Sequence, residues 1–422
     1  MMTNTIRLLH FADAHIDIAN YGRHDSVTGL PVRVVDFLQA LDQIVDTAVA
    51  EQVDLVLFAG DAYKDRNPQP TFQREWGQRM MRLSRAGIPT LLLVGNHDVA
   101  PASGRAHTLQ EFKTLAVPHI HVADTIRLWT PAELGLPVQI ITVPWVSRSR
   151  VANLLEQQQG ADTAPNDVYE QMEELVGSWI QRYIEQADPT IPLILTAHAS
   201  VHGAQYGSER AVMLGQELML SGGLVNNPAL DYVALGHIHK PQALSAANSH
   251  PPIIYPGSIE RIDFGEKENK RFVVAQVGKG HTEWEWRSLK TRRFIDPDPI
   301  TPSADHFMAD ILSQLPAADD VTGALCRVRL IYPRDLEPLL DEKAIHDHFA
   351  AAFDVKISKQ HQIEKRSRLG DVAGVESLTP EELLEMYWDT IGLEPAEAEA
   401  MQQLAKVVLT AVPDSEATAM SA

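Results

Sequence analysis

Residues Thr90–Ala100 read TLLLVGNHDVA. Thr90 to Val94 is a short apolar run of the kind found in a strand buried on both faces. It leads straight into Gly95, Asn96, His97 and Asp98. A turn needs a glycine and tolerates an asparagine. It has no use for an imidazole and a carboxylate delivered together, so the stretch reads as a strand with chemistry at its C-terminal end.

Outward from this stretch the pattern recurs. TIRLLHFADAH runs to Asp13 and His15, and DLVLFAGD to Gly60 and Asp61. IPLILTAHA runs to His198, and DYVALGHIH to His237 and His239. Between these runs lie helical patterns, PVRVVDFLQALDQIVDTAVAEQ and TFQREWGQRMMRLSRAG, the second closing on Gly87. Alternating strands and helices predict an α/β layered fold, with the ligand crevice beyond the carboxyl ends of the strands.

The residues gathered there are Asp13, His15, Asp61, Asn96, His198, His237 and His239. Two carboxylates, an amide oxygen and four imidazoles suit Mn, Fe or Zn better than Ca or Mg. Seven ligands exceed the needs of one ion and fit two, with a carboxylate as the natural bridge. Ions about 3.5–4 Å apart form the clamp used in phosphoryl chemistry. Taken singly, GD is a common turn and His198 an ordinary core histidine. GNHD is more specific, and GHIH places two imidazoles on one side if the chain is extended.

In this order the motifs resemble those of the calcineurin-like metallophosphoesterases: Asp13-Ala14-His15, Gly60-Asp61, Gly95-Asn96-His97-Asp98, His198, and Gly236-His237-Ile238-His239. GDAYKDRNPQP and GHIHKPQ followed by YPGSIERIDFGE narrow the resemblance to the SbcD branch, over roughly residues 5 to 290. It implies a metallophosphoesterase β-sandwich flanked by helices. Asp13, His15, Asp61 and His239 would hold one ion. Asp61 would bridge, and Asn96, His198 and His237 would complete the second site, with Mn2+ as the expected metal. His97 would contact the phosphate and assist the leaving oxygen, and Asp98 would orient His97. Lys64 departs from the branch, which often carries His or Asp there.

The implied activity is that of a metal-dependent DNA exonuclease or endonuclease, the nuclease subunit of an SbcCD-like repair complex. The alternative is a phosphatase or phosphodiesterase for small molecules or phosphoproteins on the same dimetal core. The expected organisation is a nuclease domain over 1–283 and a small α+β capping domain over 284–365, read as β-α-β-α-β. A linker over 366–378, partner-binding helices over 379–412 and a disordered tail over 413–422 follow. Leu383, Leu384, Tyr387, Trp388 and Ile391 share a helix face, expected to dock an SbcC-like ATPase. Phe72, Trp76, Met80, Leu83, Leu109 and Phe112 predict a homodimer.

Composition bounds these readings. Of the formal charge of −20, residues 371–422 carry −10, from eleven acids and one lysine. Net acidity therefore does not exclude DNA as a partner, because Arg148, Arg150, Lys240, Arg261, Lys290, Arg292 and Arg293 can still form a basic stripe. The single cysteine, Cys326, excludes an internal disulfide and thiolate metal sites and reads as a core residue. No run approaches the ~20 apolar residues that span a bilayer, and the N-terminus lacks a signal-peptide pattern. A cytoplasmic protein without membrane contact is the expectation.

Overall fold

A computed structural model describes residues 5–99, 105–146, 167–207, 218–246, 249–362, 379–390 and 395–411. Its strands are β1 (Ile6–Phe11), β2 (Leu55–Phe58), β3 (Thr90–Leu93), β4 (Ile120–Ala123), β5 (Arg127–Trp129), β6 (Gln139–Val143), β7 (Leu193–His198), β8 (Ser200–Val201) and β9 (Met219–Leu220). They continue with β10 (Tyr232–Gly236), β11 (Gln242–Ala243), β12 (Ile253–Tyr255), β13 (Arg271–Gly278), β14 (His281–Ser288), β15 (Phe294–Ile295), β16 (Leu325–Tyr332) and β17 (Asp354–His361). The helices are α1 (Val32–Ala50), α2 (Pro70–Arg85), α3 (Gln110–Thr114), α4 (Pro131–Leu134), α5 (Asp167–Gln186), α6 (Gly222–Val225), α7 (Phe307–Ser313), α8 (Glu342–His348), α9 (Pro380–Thr390) and α10 (Pro395–Ala411).

Two six-stranded sheets form the main body, ordered β14-β13-β1-β2-β3-β4 and β11-β12-β10-β7-β6-β5. Their centres are parallel, as the continuous apolar runs require. Alternation along each strand then assigns the layers. Leu8, Leu55, Leu57, Leu91 and Leu93 from the first sheet share a buried cluster with Ile140, Ile194, Tyr232, Ala234 and Ile254 from the second. The intervening Leu9, Phe11, Val56, Phe58 and Leu92 pack with Val34, Phe37 and Leu41 of α1 and with Trp76 and Met80 of α2. On the far side Leu195, Val233 and Leu235 meet Met172, Val176 and Ile180 of α5. The result is four layers, helix, sheet, sheet, helix, in which burying each large side chain contributes roughly 1.5–3 kcal/mol.

The fold separates the five ligand-bearing strands, which the sequence reading placed along a single edge. β1, β2 and β3 belong to one sheet and β7 and β10 to the other, so the site lies where two sheet edges meet. A second correction concerns the apolar residues expected to dimerise. Trp76, Met80, Leu83, Leu109 and Phe112 are buried in the chain's own core, and Phe72 packs partly against it. Layer packing accounts for their apolarity.

The chain divides into two compact units. The first comprises residues up to Asp296 with Pro316–Arg327 and His348–Lys356. The second comprises Pro297–Leu315, Val328–Asp347 and the chain from Ile357. The later strands form a sheet ordered β15-β16-β17. The β-α-β-α-β order is present as β15, α7, β16, α8 and β17, but its first strand is Phe294–Ile295. The segment EWEWRS belongs to β14, which pairs antiparallel with β13 in the first sheet. Cys326 is buried in β16. The expected linker and tail, and Ile391, lie outside the described residues. None of the described helices is long and apolar enough to cross a membrane.

Candidate metal centre

Asp13 and His15 lie just past β1, Asp61 just past β2, and Asn96 just past β3. His198 closes β7, and His237 and His239 follow β10. All seven are buried. Four of them hold left-handed backbone conformations, with φ of 51° at Asp13, 41° at His15, 65° at Asp61 and 100° at His237. Such conformations cost of order 1–3 kcal/mol each in a non-glycine residue and persist only where surrounding structure enforces them. The kink at His237 also corrects the expectation that His237 and His239 share a side. His237 turns to Asn96, with Nδ1 3.1 Å from Oδ1. His239 turns to His15, with 3.2 Å between their Nε2 atoms.

The glycines in the motifs are there for space. A Cβ on Gly95 would lie 2.2 Å from Asp61 Oδ1, and one on Gly60 would lie 2.3 Å from His198 Nδ1. Any larger residue would push the carboxylate or the imidazole out of place.

The donor chemistry tests whether cations fit. His15 Nδ1 is 3.1 Å from the Tyr63 carbonyl, and His198 Nδ1 is 2.7 Å from the Ala59 carbonyl. His239 Nδ1 is 3.2 Å from Glu266 Oε1. Carbonyl and carboxylate oxygens only accept, so each Nδ1 carries the proton and each Nε2 presents a lone pair. Those of His15 and His239 then face each other. The lone pair of His198 faces Asn96 Oδ1 at 2.9 Å and Asp61 Oδ2 at 3.3 Å. Acceptors converging without a donor repel unless a cation sits among them. Burial works against positive charge at His198, but the Asp61 carboxylate overrides it, so the field here favours the positive charge that a cation on the Nε2 lone pair would supply. Asp13, His15 and His239, and again Asp13, Asp61 and His198, have ligand atoms close enough to hold a metal ion. The donor set fits divalent cations, and Asp13 is the residue common to the two groups.

Asp98 lies elsewhere than expected. Its carboxylate accepts from the backbone N–H groups of Asp61 and Gly95, both at 2.9 Å, and of Ala62 at 3.0 Å. It also accepts from the Thr108 hydroxyl at 3.1 Å. Asp98 therefore staples the Asp61 and Gly95 loops together. His97 is oriented by the carbonyl of Lys64, 2.7 Å from Nδ1, and its backbone N–H donates to Asp61 Oδ1 at 2.8 Å.

Two neighbours escaped the sequence reading. Glu266, in the quoted loop YPGSIERIDFGE, holds His239 and is itself held by Lys270 at 2.7 Å and by the Ile262 N–H at 2.9 Å. Its only sequence signal is that it lies in that loop. Trp145 stacks 5.1 Å from His237 and lies 6.2 Å from His198. The basic stripe is largely spent on the fold. Arg292 pairs with Asp36, and Arg261 bonds Thr291 and the carbonyls of Glu266 and Glu268. Lys240 bonds Gln205. Arg148 and Arg150 lie outside the described residues.

Comparison with known proteins agrees with this geometry. The chain is 26% identical over 294 residues to the uncharacterized metallophosphoesterase YhaO of Bacillus subtilis, covering 68% of this chain and 61% of that one. It is 24% identical over 274 residues to the D subunit of the nuclease SbcCD of Escherichia coli, covering 64% of each. The DNA double-strand break repair protein Mre11 of Methanosarcina acetivorans is 24% identical over 294 residues, covering 70% of this chain and 40% of that one. The match thus spans under two thirds of each relative's length. Residues 6–241 match the calcineurin-like phosphoesterase family. With more than half its length matched and the strand-end ligands in the family's order, this chain belongs to the calcineurin-like phosphoesterases.

Proposed function

We propose that the protein is a metal-dependent DNA nuclease that hydrolyses phosphodiester bonds as the nuclease subunit of an SbcCD-like complex. The observation that carries this reading is the pair of buried ligand groups, Asp13 with His15 and His239 and Asp13 with Asp61 and His198, a ligand arrangement suited to two ions. Relatives named for the SbcCD nuclease and for Mre11 support DNA as the substrate. Asp13, His15, Asp61 and His239 would hold one ion, and Asp61, Asn96, His198 and His237 the other. The oxygen and nitrogen donors, with no sulfur, suit Mn, Fe or Zn, and by resemblance to the branch the ion is Mn2+. When bound, such ions neutralise phosphate charge and activate water.

The chain's own groups do the rest. The carbonyls of Tyr63 and Ala59 and the Glu266 carboxylate fix three imidazoles in the ligating tautomer. Asp98 holds the Asp61 loop in its left-handed conformation. His97 stands beside the ligands, with its ring 5.2 Å from that of His15, where it can meet the phosphate or the leaving oxygen. The three-stranded sheet with its helices serves as a capping domain toward DNA. Helices α9 and α10, with Tyr387, Met401 and Leu404 exposed, dock an SbcC-like ATPase. A homodimer draws no support from α2, whose apolar face is already covered.

Cleavage of a labelled hairpin duplex with Mn2+, set beside turnover of bis-p-nitrophenyl phosphate, tests the reading. Hairpin cleavage that disappears in Asp61→Ala, together with loss of both metals by elemental analysis, is the expected result. Turnover of the small diester with intact hairpin DNA would favour the small-molecule phosphodiesterase. Two full equivalents of metal in Asp61→Ala would refute the bridging assignment.

A further inference from the structure

Lys64 is where the sequence departs from its branch, and its surroundings give the departure a role. Both ends of the residue touch His97. Its carbonyl accepts from His97 Nδ1 at 2.7 Å, and its ammonium lies 3.5 Å from His97 Nε2. Since Nδ1 carries the proton, the neutral ring presents a lone pair at Nε2, and the lysine N–H donates to it. Among the described residues no carboxylate pairs with this ammonium.

Two acids lie nearby, but their oxygens serve the loop. Both oxygens of Asp17 accept from backbone, one from Lys64 N–H and one from Asp65 N–H. Asp65 accepts from the Asn67 N–H at 2.9 Å. The loop is therefore pinned through its main chain while the lysine side chain stays exposed. Lys64 and His97 together line a cleft of about 1120 Å³, whose wall also includes Arg66, Asn67 and the two acids Asp17 and Asp65, each of which accepts from the loop's own backbone N–H groups. A cation without a counter-carboxylate, resting on an imidazole lone pair at the wall of a large open cleft, is arranged to receive an anion.

We infer that Lys64 is a phosphate-contacting residue of this enzyme. Its ammonium, carried on His97 Nε2, takes up negative charge on a non-bridging oxygen of the substrate phosphate. This rests on the phosphoesterase reading. His97 then has a positioning duty as well, since it aims the lysine. The contact is electrostatic and moves no proton. Its strength is limited by solvent exposure, so the expected effect is smaller than for an enclosed oxyanion donor.

Lys64→Met retains the carbonyl that orients His97 and most of the stem, and removes only the charge. In the full chain loaded with Mn2+, we expect unchanged metal content by elemental analysis. Inorganic phosphate, titrated calorimetrically, should bind about tenfold more weakly to Lys64→Met. The kcat for bis-p-nitrophenyl phosphate should fall by about tenfold to a hundredfold. Lys64→Arg should recover most of the phosphate affinity, and raised salt should weaken phosphate binding in the wild type more than in Lys64→Met. Equal phosphate affinity in wild type and Lys64→Met would overturn the assignment. Wild-type protein that turns over no phosphodiester would instead sink the phosphoesterase reading, and the phosphate titration would still decide the role of Lys64.

Discussion

Replacing Asp98 by asparagine should weaken metal binding far more than it weakens the fold. The carboxylate has four donors to satisfy: the N–H groups of Asp61 and Gly95 on Oδ2, and the Ala62 N–H and Thr108 hydroxyl on Oδ1. Asparagine offers one oxygen. Its best placement keeps the Asp61 and Gly95 bonds, lets the Thr108 hydroxyl turn to accept, and leaves the Ala62 N–H facing an amide N–H. One orphaned buried donor costs about 1–3 kcal/mol. Against this stands the cost of the native charge. Burial first, and then the Asp61 carboxylate, raise the Asp98 pKa from 3.8 to about 6. With the folded pKa raised, the ionised form is disfavoured above pH 6 by about 3 kcal/mol, at roughly 1.4 kcal/mol for each tenfold change in proton affinity. The neutral amide escapes that cost, so the two effects nearly cancel and the melting temperature should move by only a few degrees. The geometry is not compensated. Asp61 and Gly95 lose the group that ties their loops, and removal of a residue that orients a ligand typically lowers metal affinity by about 10- to 100-fold. Thermal melts in chelator, paired with calorimetric Mn2+ titration, separate the two. Wild-type metal affinity in Asp98→Asn would refute the staple, and a collapse of the melt in chelator would show that Asp98 supports the core instead.

Gly95→Ala should mimic loss of the Asp61 carboxylate, because the new Cβ would stand 2.2 Å from Oδ1 and 2.5 Å from the backbone nitrogen of Asp61. Normal metal content in that variant would show that the loop yields instead. His10 is buried between the sheets beside the Tyr232 hydroxyl at 3.1 Å, and burial lowers its pKa from 6.5 to about 3. Between those values the unfolded chain binds a proton that the folded chain refuses, so stability falls with falling pH by roughly 1.4 kcal/mol per pH step of one. His10→Leu should flatten denaturant midpoints over that range by about one proton's worth; parallel curves for the two proteins would contradict this. Truncation after Gly370 should leave Mn2+-dependent cleavage of short substrates near wild type and abolish co-purification with an SbcC-like ATPase, whereas loss of metal would place α9 and α10 in the nuclease core.

The fold class and the convergence of seven side chains were legible because both are written locally. A strand buried on both faces needs an uninterrupted apolar run, and a ligand delivered at its end follows within a few residues, as at Leu91–Val94 and Asn96. Which sheet a strand joins is not written locally. β3 and β7 look alike as runs, yet they pair in different sheets, because partner choice depends on the whole layer packing. The same limit explains why Trp76 and Met80 read as surplus: they do so only until α1 and the outer face of the first sheet are seen to need covering. Residues that act on ligands from behind are the hardest to read. Tyr63 and Ala59 act through carbonyls, which any residue supplies, so their identities carry no signal. Glu266 acts across 27 positions from His239, and nothing near it in the chain distinguishes it from a solvated acid. Asp98 misleads for the opposite reason. It stands next to His97 in sequence, and adjacency suggests a carboxylate–imidazole pair. In the tight turn after β3 its side chain points back under the loop to three backbone N–H groups, a stronger demand than one ring nitrogen could make. Adjacent residues in such a turn point apart, so motif spacing identifies which residues matter more reliably than which of them touch.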